Sequence, residues 1–186
     1  MVEISIPPLL HDVLGTRQRV GVLVLIPAFG LAVVALLAVA GPHLFVGLPL
    51  WRGIAAALLI LDIAAGAIAN FTPATNGFYA ARPMNRRMFI AIHVHVIAIA
   101  VLLGRDPVPA ILLWAYAIAG ASGVNALAGN RLQPLAGGLV LAAGLAGTAL
   151  WAGDDPAMLA VMQLFLLKLV YAFAVDHFGD AGPVAA

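Results

Sequence analysis

Six long apolar stretches, separated by short polar breaks, constrain this chain more than any other feature of its sequence. A helix that crosses a bilayer needs about 20 mostly apolar residues, and each stretch approaches that length. We place the spans at approximately 20–40, 53–70, 88–104, 109–129, 134–153 and 157–176. The sequence therefore predicts an all-α fold, in which one polytopic membrane domain covers residues 1–186 as a bundle of six transmembrane helices.

The composition agrees with a membrane environment. Hydrophobic residues make up 64% of the 186 residues, and charged residues make up 9%. Soluble domains carry about 25% charged residues, so this chain has too few charges to cover a surface that faces water. The lipid bilayer is its first expected partner. The heavy use of Ala, Gly, Leu and Val is typical of GC-rich bacteria, and we expect a multi-pass protein of the bacterial inner (cell) membrane.

The composition also excludes several kinds of chemistry. The chain has no cysteine, which excludes disulfides, thiolate catalysis and iron–sulfur clusters. It contains neither a phosphate-binding P-loop nor the H-E-x-x-H zinc motif, and its five histidines are too few and too scattered for a membrane di-iron site. The net charge of +1 gives no indication of nucleic-acid binding. We predict no metal, no cofactor and no nucleic-acid partner.

The distribution of arginines predicts the orientation. Cytoplasmic loops of membrane proteins carry an excess of Lys and Arg, and an even number of spans places both termini on one side. The other side receives Arg52 and Arg105. The side of the termini receives Arg17, Arg19, Arg82, Arg86, Arg87 and Arg131. We therefore expect the N and C termini in the cytoplasm.

Two charged residues inside the spans mark a candidate site. Asp62 and Lys168 each lie eight residues from the cytoplasmic end of their spans, which is about 12 Å of depth at 1.5 Å per residue. One unpaired charge near the bilayer centre costs about 2.5–3.5 kcal/mol. We therefore predict that the two groups pair between the second and sixth helices. The pair marks a functional site in one interpretation and only fixes helix registry in the other.

Other polar residues lie at similar depths in neighbouring spans. Because His93 and His95 are two residues apart, they lie about 200° apart around a continuous helix. We expect one of them, and not both, to face the site. The full prediction for a substrate-binding or ion-coupling site is Asp62, Lys168, His93, His95, Asn125, Asn70 and Tyr171.

Residues 71–87 form the longest polar connection in the sequence. Arginines beside hydroxyl and amide groups suit phosphate, carboxylate or lipid headgroups. The predicted anion or headgroup contacts are Arg82, Arg86, Arg87, Asn76 and Tyr79. In the alternative interpretation, the arginines serve only to set the topology.

Three functions are compatible with this pattern. We favour a small transporter or permease subunit with a polar cavity that opens to the cytoplasm. The second is a membrane-embedded enzyme for a lipid or isoprenoid substrate, with Asp62 or a histidine as general acid or base. The third is a non-catalytic membrane assembly protein. The expected partners are a small-molecule or lipid substrate and, for a chain this small, a second copy or a larger membrane complex.

Overall fold

The computed structural model describes residues 2–151 and 155–179, and it contains six helical spans long and apolar enough to cross a membrane. The spans are Val20–Ala40, Leu50–Asn70, Pro83–Leu102, Pro107–Ala126, Gln133–Leu150 and Pro156–Phe173. The predicted six-span helical bundle is confirmed. Residues 152 and 153, at the predicted end of the fifth span, lie outside the described residues.

The first two spans are single helices, α2 (Val20–Ala40) and α3 (Leu50–Asn70), which pack extensively on each other. A short N-terminal helix, α1 (His11–Leu14), precedes them. Residues 71–87, which the sequence presents as a polar connection, are largely helical. They form α4 (Pro73–Ala80), capped by the Thr72 side chain, and the start of the third span.

The third span starts at Pro83 and not near Met88, which corrects the predicted boundary. Proline fits the first turn of a helix because its missing N–H has no intrahelical partner there. This span is also divided into two helices, α5 (Pro83–Ile92) and α6 (His95–Leu102), with a break at His93 and Val94.

The remaining spans are α7 (Pro107–Ala126), α8 (Gln133–Trp151) and α9 (Pro156–Leu166). Asp106 and Asp155 cap α7 and α9 by accepting hydrogen bonds from backbone N–H groups in the first turn. Each is followed by a proline, so the polar breaks in the sequence are helix starts. Beyond α9 the last span continues as a wider π-helical segment, Leu167–Phe173.

The second and last spans form the interior of the bundle. Half of the α3 span and 61% of the last span are buried, against 17% for α2. Helix α2, which has no polar side chain, therefore lies at the periphery of the bundle.

An N-terminal hairpin closes one end of the bundle. Strand β1 (Glu3–Ser5) pairs antiparallel with β2 (Arg17–Arg19), with α1 between them. Gly15 has a φ of +71°, and a Cβ there would lie 2.4 Å from the Ala74 carbonyl oxygen, so the hairpin backbone touches α4 directly. We call this end, which carries the hairpin, α4 and residues 174–179, the α4 end, and the opposite end the far end.

Candidate functional site

The site is built around an ion pair between the two interior spans. Lys168 Nζ donates to Asp62 Oδ2 at 2.6 Å and lies 3.3 Å from the Asp62 carbonyl oxygen. The contact predicted from the equal depth of the two charges is therefore present. The Lys168 side chain is 3% exposed, so Asp62 compensates an almost fully enclosed ammonium.

A glycine on α3 makes room for the lysine. A Cβ on Gly66 would lie 2.6 Å from Lys168 Cε and 2.9 Å from Nζ. In the structure, the Lys168 side chain itself fills the space beside Gly66.

His95 adds a second titratable group to the carboxylate. It begins α6, and its Nδ1 lies 3.5 Å from Asp62 Oδ2. Lys168 and His95 therefore approach the same carboxylate oxygen from two different spans.

His93 joins the cluster because the third span is broken. A hydrogen bond of 2.6 Å links His93 Nδ1 to the Phe89 carbonyl oxygen, the acceptor that the His93 amide would use in a continuous α-helix. That amide instead reaches the Ile90 carbonyl at 3.4 Å. The two imidazole rings lie 5.0 Å apart. The expected separation of about 200° between the two rings is wrong, because it assumes an unbroken helix. Of the two, it is His95 that contacts Asp62.

Both irregular backbone segments adjoin this cluster. His93 and Val94 interrupt the third span, and Lys168 lies in the π-helical segment. Inside a bilayer, backbone polar groups need protein partners, and π-helical turns are frequent at functional sites. The ionisable groups of the cluster therefore lie at the two places where the regular α-helical hydrogen bonding of the spans is interrupted.

Asp62 is accessible from the flank of the bundle. Its side chain is 45% exposed, while that of Lys168 is 3% exposed. Asp62 shares a helical face with Leu58, one turn away, which is 60% exposed. Both of its side-chain contacts use Oδ2. Among the described residues, no group donates a hydrogen bond to Oδ1.

Aromatic rings fill the space between the cluster and the α4 end. The Phe89 ring lies 3.9 Å from the His93 ring and 4.0 Å from the Phe173 ring, measured between centroids. Tyr79 follows at 4.7 Å from Phe173. In this conformation, this aromatic stack of His93, Phe89, Phe173 and Tyr79 separates the ion pair from the α4 end.

The other three residues of the predicted site lie elsewhere. Asn70 is buried two turns from Asp62, at the end of α3. Tyr171 packs against Phe71 and His177 at the α4 end. Asn125 lines a separate depression of about 350 Å³ with Arg87. The structure thus brings together four of the seven predicted residues.

Three of the five predicted anion contacts hold the chain ends in place. Arg86 Nη2 donates to the Phe173 carbonyl at 2.7 Å, and Asn76 Nδ2 donates to the Val175 carbonyl at 3.0 Å. The Tyr79 hydroxyl donates to the Asp12 carbonyl at 2.9 Å. Burial, with the Asp12 carboxylate nearby, raises the pKa of Tyr79 well above its ordinary value, so this phenol stays a donor.

The remaining two arginines are exposed. The Arg82 guanidinium lies 3.9 Å over the Phe78 ring and donates to the Phe78 carbonyl. Arg87 lines the depression shared with Asn125. These two side chains keep charge at the surface near the α4 end, where an anion or headgroup has access to them.

Two anchoring residues at the α4 end were missed by sequence reasoning. Buried Gln133 donates to the Val124 and Ala174 carbonyls and accepts from the Asp176 amide, each at 3.1 Å. His177 Nε2 bonds the Tyr171 carbonyl. Burial lowers the pKa of His177, and Arg86 contributes, although the bond to Tyr171 opposes this. Both residues flank predicted spans, where a depth argument gives no signal.

A second ion pair lies at the far end of the bundle. Arg105 Nε lies 3.2 Å from Asp155 Oδ2, and both residues line a depression of about 290 Å³ with Met158 and Met162. Asp155 already serves as a helix cap. Within the described ranges, no three His, Asp or Glu side chains converge on a position suited to a metal ion.

Comparison with known proteins identifies no relative of this chain. No protein-family model matches the chain, and neither the curated proteins nor the solved structures give a significant match. Functional inference therefore depends on the geometry of the cluster itself.

Proposed function

We propose that this protein is a small membrane transporter or permease subunit in which Asp62, Lys168, His93 and His95 form the ion-coupling and substrate site. The observation that carries the proposal is the ion pair at 2.6 Å with His95 beside the same carboxylate. Intramembrane ionisable residues commonly mark ion or substrate pathways. Carboxylate and imidazole groups can exchange protons, as gradient-driven transport requires.

The irregular backbone favours transport over a pure registry role. Transporter sites commonly lie where transmembrane helices are discontinuous, and here the third span breaks at the cluster itself. A pair that only fixes registry needs no broken helix and no π-helical turn. The break and the π-helical segment would allow the backbone at the cluster to change between two conformations.

The depth of the cluster argues against an enzyme that acts on lipid headgroups. Asp62 lies eight residues from the end of α3, about 12 Å along the helix. Phosphate headgroups lie outside the hydrocarbon core. The exposed Arg82 and Arg87 are nearer to the headgroup level than the cluster is, which separates the positive groups from the proposed general acid or base.

The proposed orientation places the α4 end in the cytoplasm. Six arginines lie at this end and two at the far end, which is the bias expected of cytoplasmic segments. The aromatic stack is then a closed inner gate, and its opening would connect the cluster with the cytoplasm, as the predicted polar cavity requires.

Reconstituted protein tests the proposal. Proteoliposomes with an imposed proton gradient and an internal pH-sensitive dye are exposed to a panel of small solutes and amphiphiles. We expect at least one compound class to trigger proton movement with the wild-type protein. The Asp62→Asn variant should reduce the rate about tenfold or more. The matched control is Asp106→Asn, which keeps a capping side chain far from the cluster.

A second variant separates transport from registry. Asp62→Leu combined with Lys168→Met removes both charges and leaves apolar side chains of similar size. Undiminished proton-coupled transport by this double variant would overturn the proposal and support a purely structural role. Folding is checked for every variant by size-exclusion chromatography and circular dichroism.

A further inference from the structure

We infer that the ligand of this site is an amphiphilic amine that reaches Asp62 sideways from the bilayer core, on the flank between α2 and α6. This inference rests on the proposed transport function, because it names the substrate class and the route for the same site. It is carried by the exposed carboxylate oxygen, by the closed axial path and by the positions of the flanking helices.

The charges at the opening select for a cationic or hydrogen-bond-donating head. The accessible group is the Asp62 carboxylate, while the Lys168 ammonium is 3% exposed behind it. Asp62 Oδ1 accepts no hydrogen bond from the described part of the chain. A buried or lipid-facing carboxylate oxygen without a donor is costly. An ammonium head supplies that donor, whereas an anionic carboxylate head has no hydrogen to donate to Oδ1.

The neighbours of Asp62 place the opening on the lipid-facing flank. On one side, Leu61 and Ala65 pack against Gly30 of α2. On the other side lies His95, the first residue of α6. Leu58 on the same face is 60% exposed. An apolar tail can therefore stay in lipid while its polar head reaches the carboxylate.

The axial route is closed in the same structure. The aromatic stack runs from the cluster to the α4 end, and its members Tyr79, Phe173 and His93 are each no more than 3% exposed. A solute from water would have to displace these rings, whereas a molecule dissolved in the bilayer reaches Asp62 without moving them.

A second copy of the chain is a less suitable occupant of this flank. An isologous dimer presents the same patch from both subunits, so the two Asp62 carboxylates would approach each other. A carboxylate cannot donate a hydrogen bond, so two facing Asp62 side chains supply no donor to either Oδ1. A small amine supplies that donor.

The test is photolabelling of the full-length protein in lipid nanodiscs. The probe is decylamine with a diazirine near the amine, and labelled segments are mapped by mass spectrometry. The control probes are the matching decanoic acid and a short, water-soluble diazirine amine. We expect decylamine to label α2, α3 or α6 around Asp62 about fivefold or more above the acid. Asp62→Asn should remove this excess, and Asp106→Asn should keep it.

Several outcomes would overturn the inference. Equal labelling by the amine and the acid, or unchanged labelling of Asp62→Asn, would show that the carboxylate does not select the head. Labelling by the short amine alone would show a water-filled route. The chain has no cysteine, so efficient disulfide crosslinking of Leu58→Cys would show that a second copy covers this flank.

The labelling experiment tests the amine site and the transport experiment tests the proposed function, so either proposal can be contradicted without the other. Loss of transport in Asp62→Asn without amine labelling would leave the proposed function standing and remove the lateral amine site. Specific amine labelling with undiminished transport in Asp62→Asn would keep the binding site and remove the coupling role.

Discussion

At the scale of single residues, Lys168 depends on one partner far more than Asp62 does. The lysine is enclosed, and among the described residues its ammonium contacts a single carboxylate, while Asp62 also has His95 at 3.5 Å and is 45% exposed. Removing one member of a buried pair costs about 3–5 kcal/mol when the other charge is left uncompensated. The two members should therefore respond unequally to mutation.

We expect Asp62→Leu to destabilise the protein more than Lys168→Met. Asp62→Leu leaves the enclosed ammonium without a partner, whereas Lys168→Met leaves a carboxylate with a histidine neighbour and an open side. The double variant should recover most of the stability that Asp62→Leu loses. Thermal unfolding in detergent, followed by tryptophan fluorescence, measures this order. An equal or larger loss for Lys168→Met would contradict it.

Gly66 offers a second prediction about the same lysine. An added methyl would lie 2.6 Å from Lys168 Cε, and overpacking of this kind costs about 1–3 kcal/mol. Gly66→Ala should therefore lower the unfolding temperature and weaken transport. Gly138→Ala is the matched control, because nothing lies within 4 Å of its Cβ position and alanine favours the helix. Equal behaviour of the two variants would show that the lysine side chain moves away freely.

The sequence predicts part of this residue-level picture. The pairing of Asp62 with Lys168 follows from equal depth and from the cost of an unpaired charge in lipid. The sequence does not predict that the Lys168 side chain fills the space beside Gly66. Helical spacing shows where a small residue leaves room, and not which side chain occupies that room. The sequence also does not predict that Asn125 lies outside the cluster. Its position depends on how the helices are rotated about their own axes, which a depth argument does not determine.

At the scale of elements, the break in the third span has a local chemical cause. The His93 imidazole occupies the Phe89 carbonyl, so the backbone amide loses its usual acceptor. Side chains that bond nearby backbone groups compete with helix formation. No proline or glycine marks the break, so the sequence gives no ordinary signal for it. The error in placing the two histidines follows from that missing signal.

Replacing that imidazole should restore a continuous helix. In His93→Leu the Phe89 carbonyl is free to accept from the residue 93 amide, and the span should become regular through residues 92–95. Backbone chemical shifts from NMR in nanodiscs would then turn helical at 93 and 94. His95→Leu is the comparison, and it should keep the break. A break that persists in His93→Leu would mean that packing of α6 against α3 and α7 imposes it.

The N-terminal hairpin is an element that sequence reasoning did not predict. Its contacts join residues 54 to 67 positions apart, such as Gln18 with Thr72 and Asp12 with Tyr79. Local patterns carry little information on pairings at that separation. Three-residue strands without clear alternation also give no strand signal.

We expect Gly15→Ala to release this hairpin from α4. The residue has positive φ, and the atom that its Cβ would meet is a backbone oxygen that cannot move aside. Limited trypsin digestion in detergent should then cut faster after Arg17 and Arg19. Gly77→Ala on α4 is the control, since its Cβ position is empty. Unchanged cleavage in Gly15→Ala would show that the side-chain hydrogen bonds alone hold the hairpin.

At the scale of the whole molecule, the ionisable groups lie on the interior spans and on the broken third span. Helix α2 is apolar, largely exposed and attached mainly to α3. Its close packing on α3, where Leu61 and Ala65 contact Gly30, holds it beside the exposed side of Asp62. The fold thus combines an interior ion pair with an apolar outer helix that flanks it.

The orientation of the molecule decides which compartment the aromatic stack faces. Six arginines lie at the α4 end and two at the far end, so the positive-inside bias predicts that both termini are cytoplasmic. A C-terminal fluorescent-protein fusion should therefore fluoresce, and a C-terminal alkaline phosphatase fusion should be inactive. A phosphatase fusion after Gly104, between α6 and α7, should be active because that position lies at the far end. The opposite pattern would place the hairpin, α4 and the stack on the outer face, and the stack would then be an outer gate to the same ion pair.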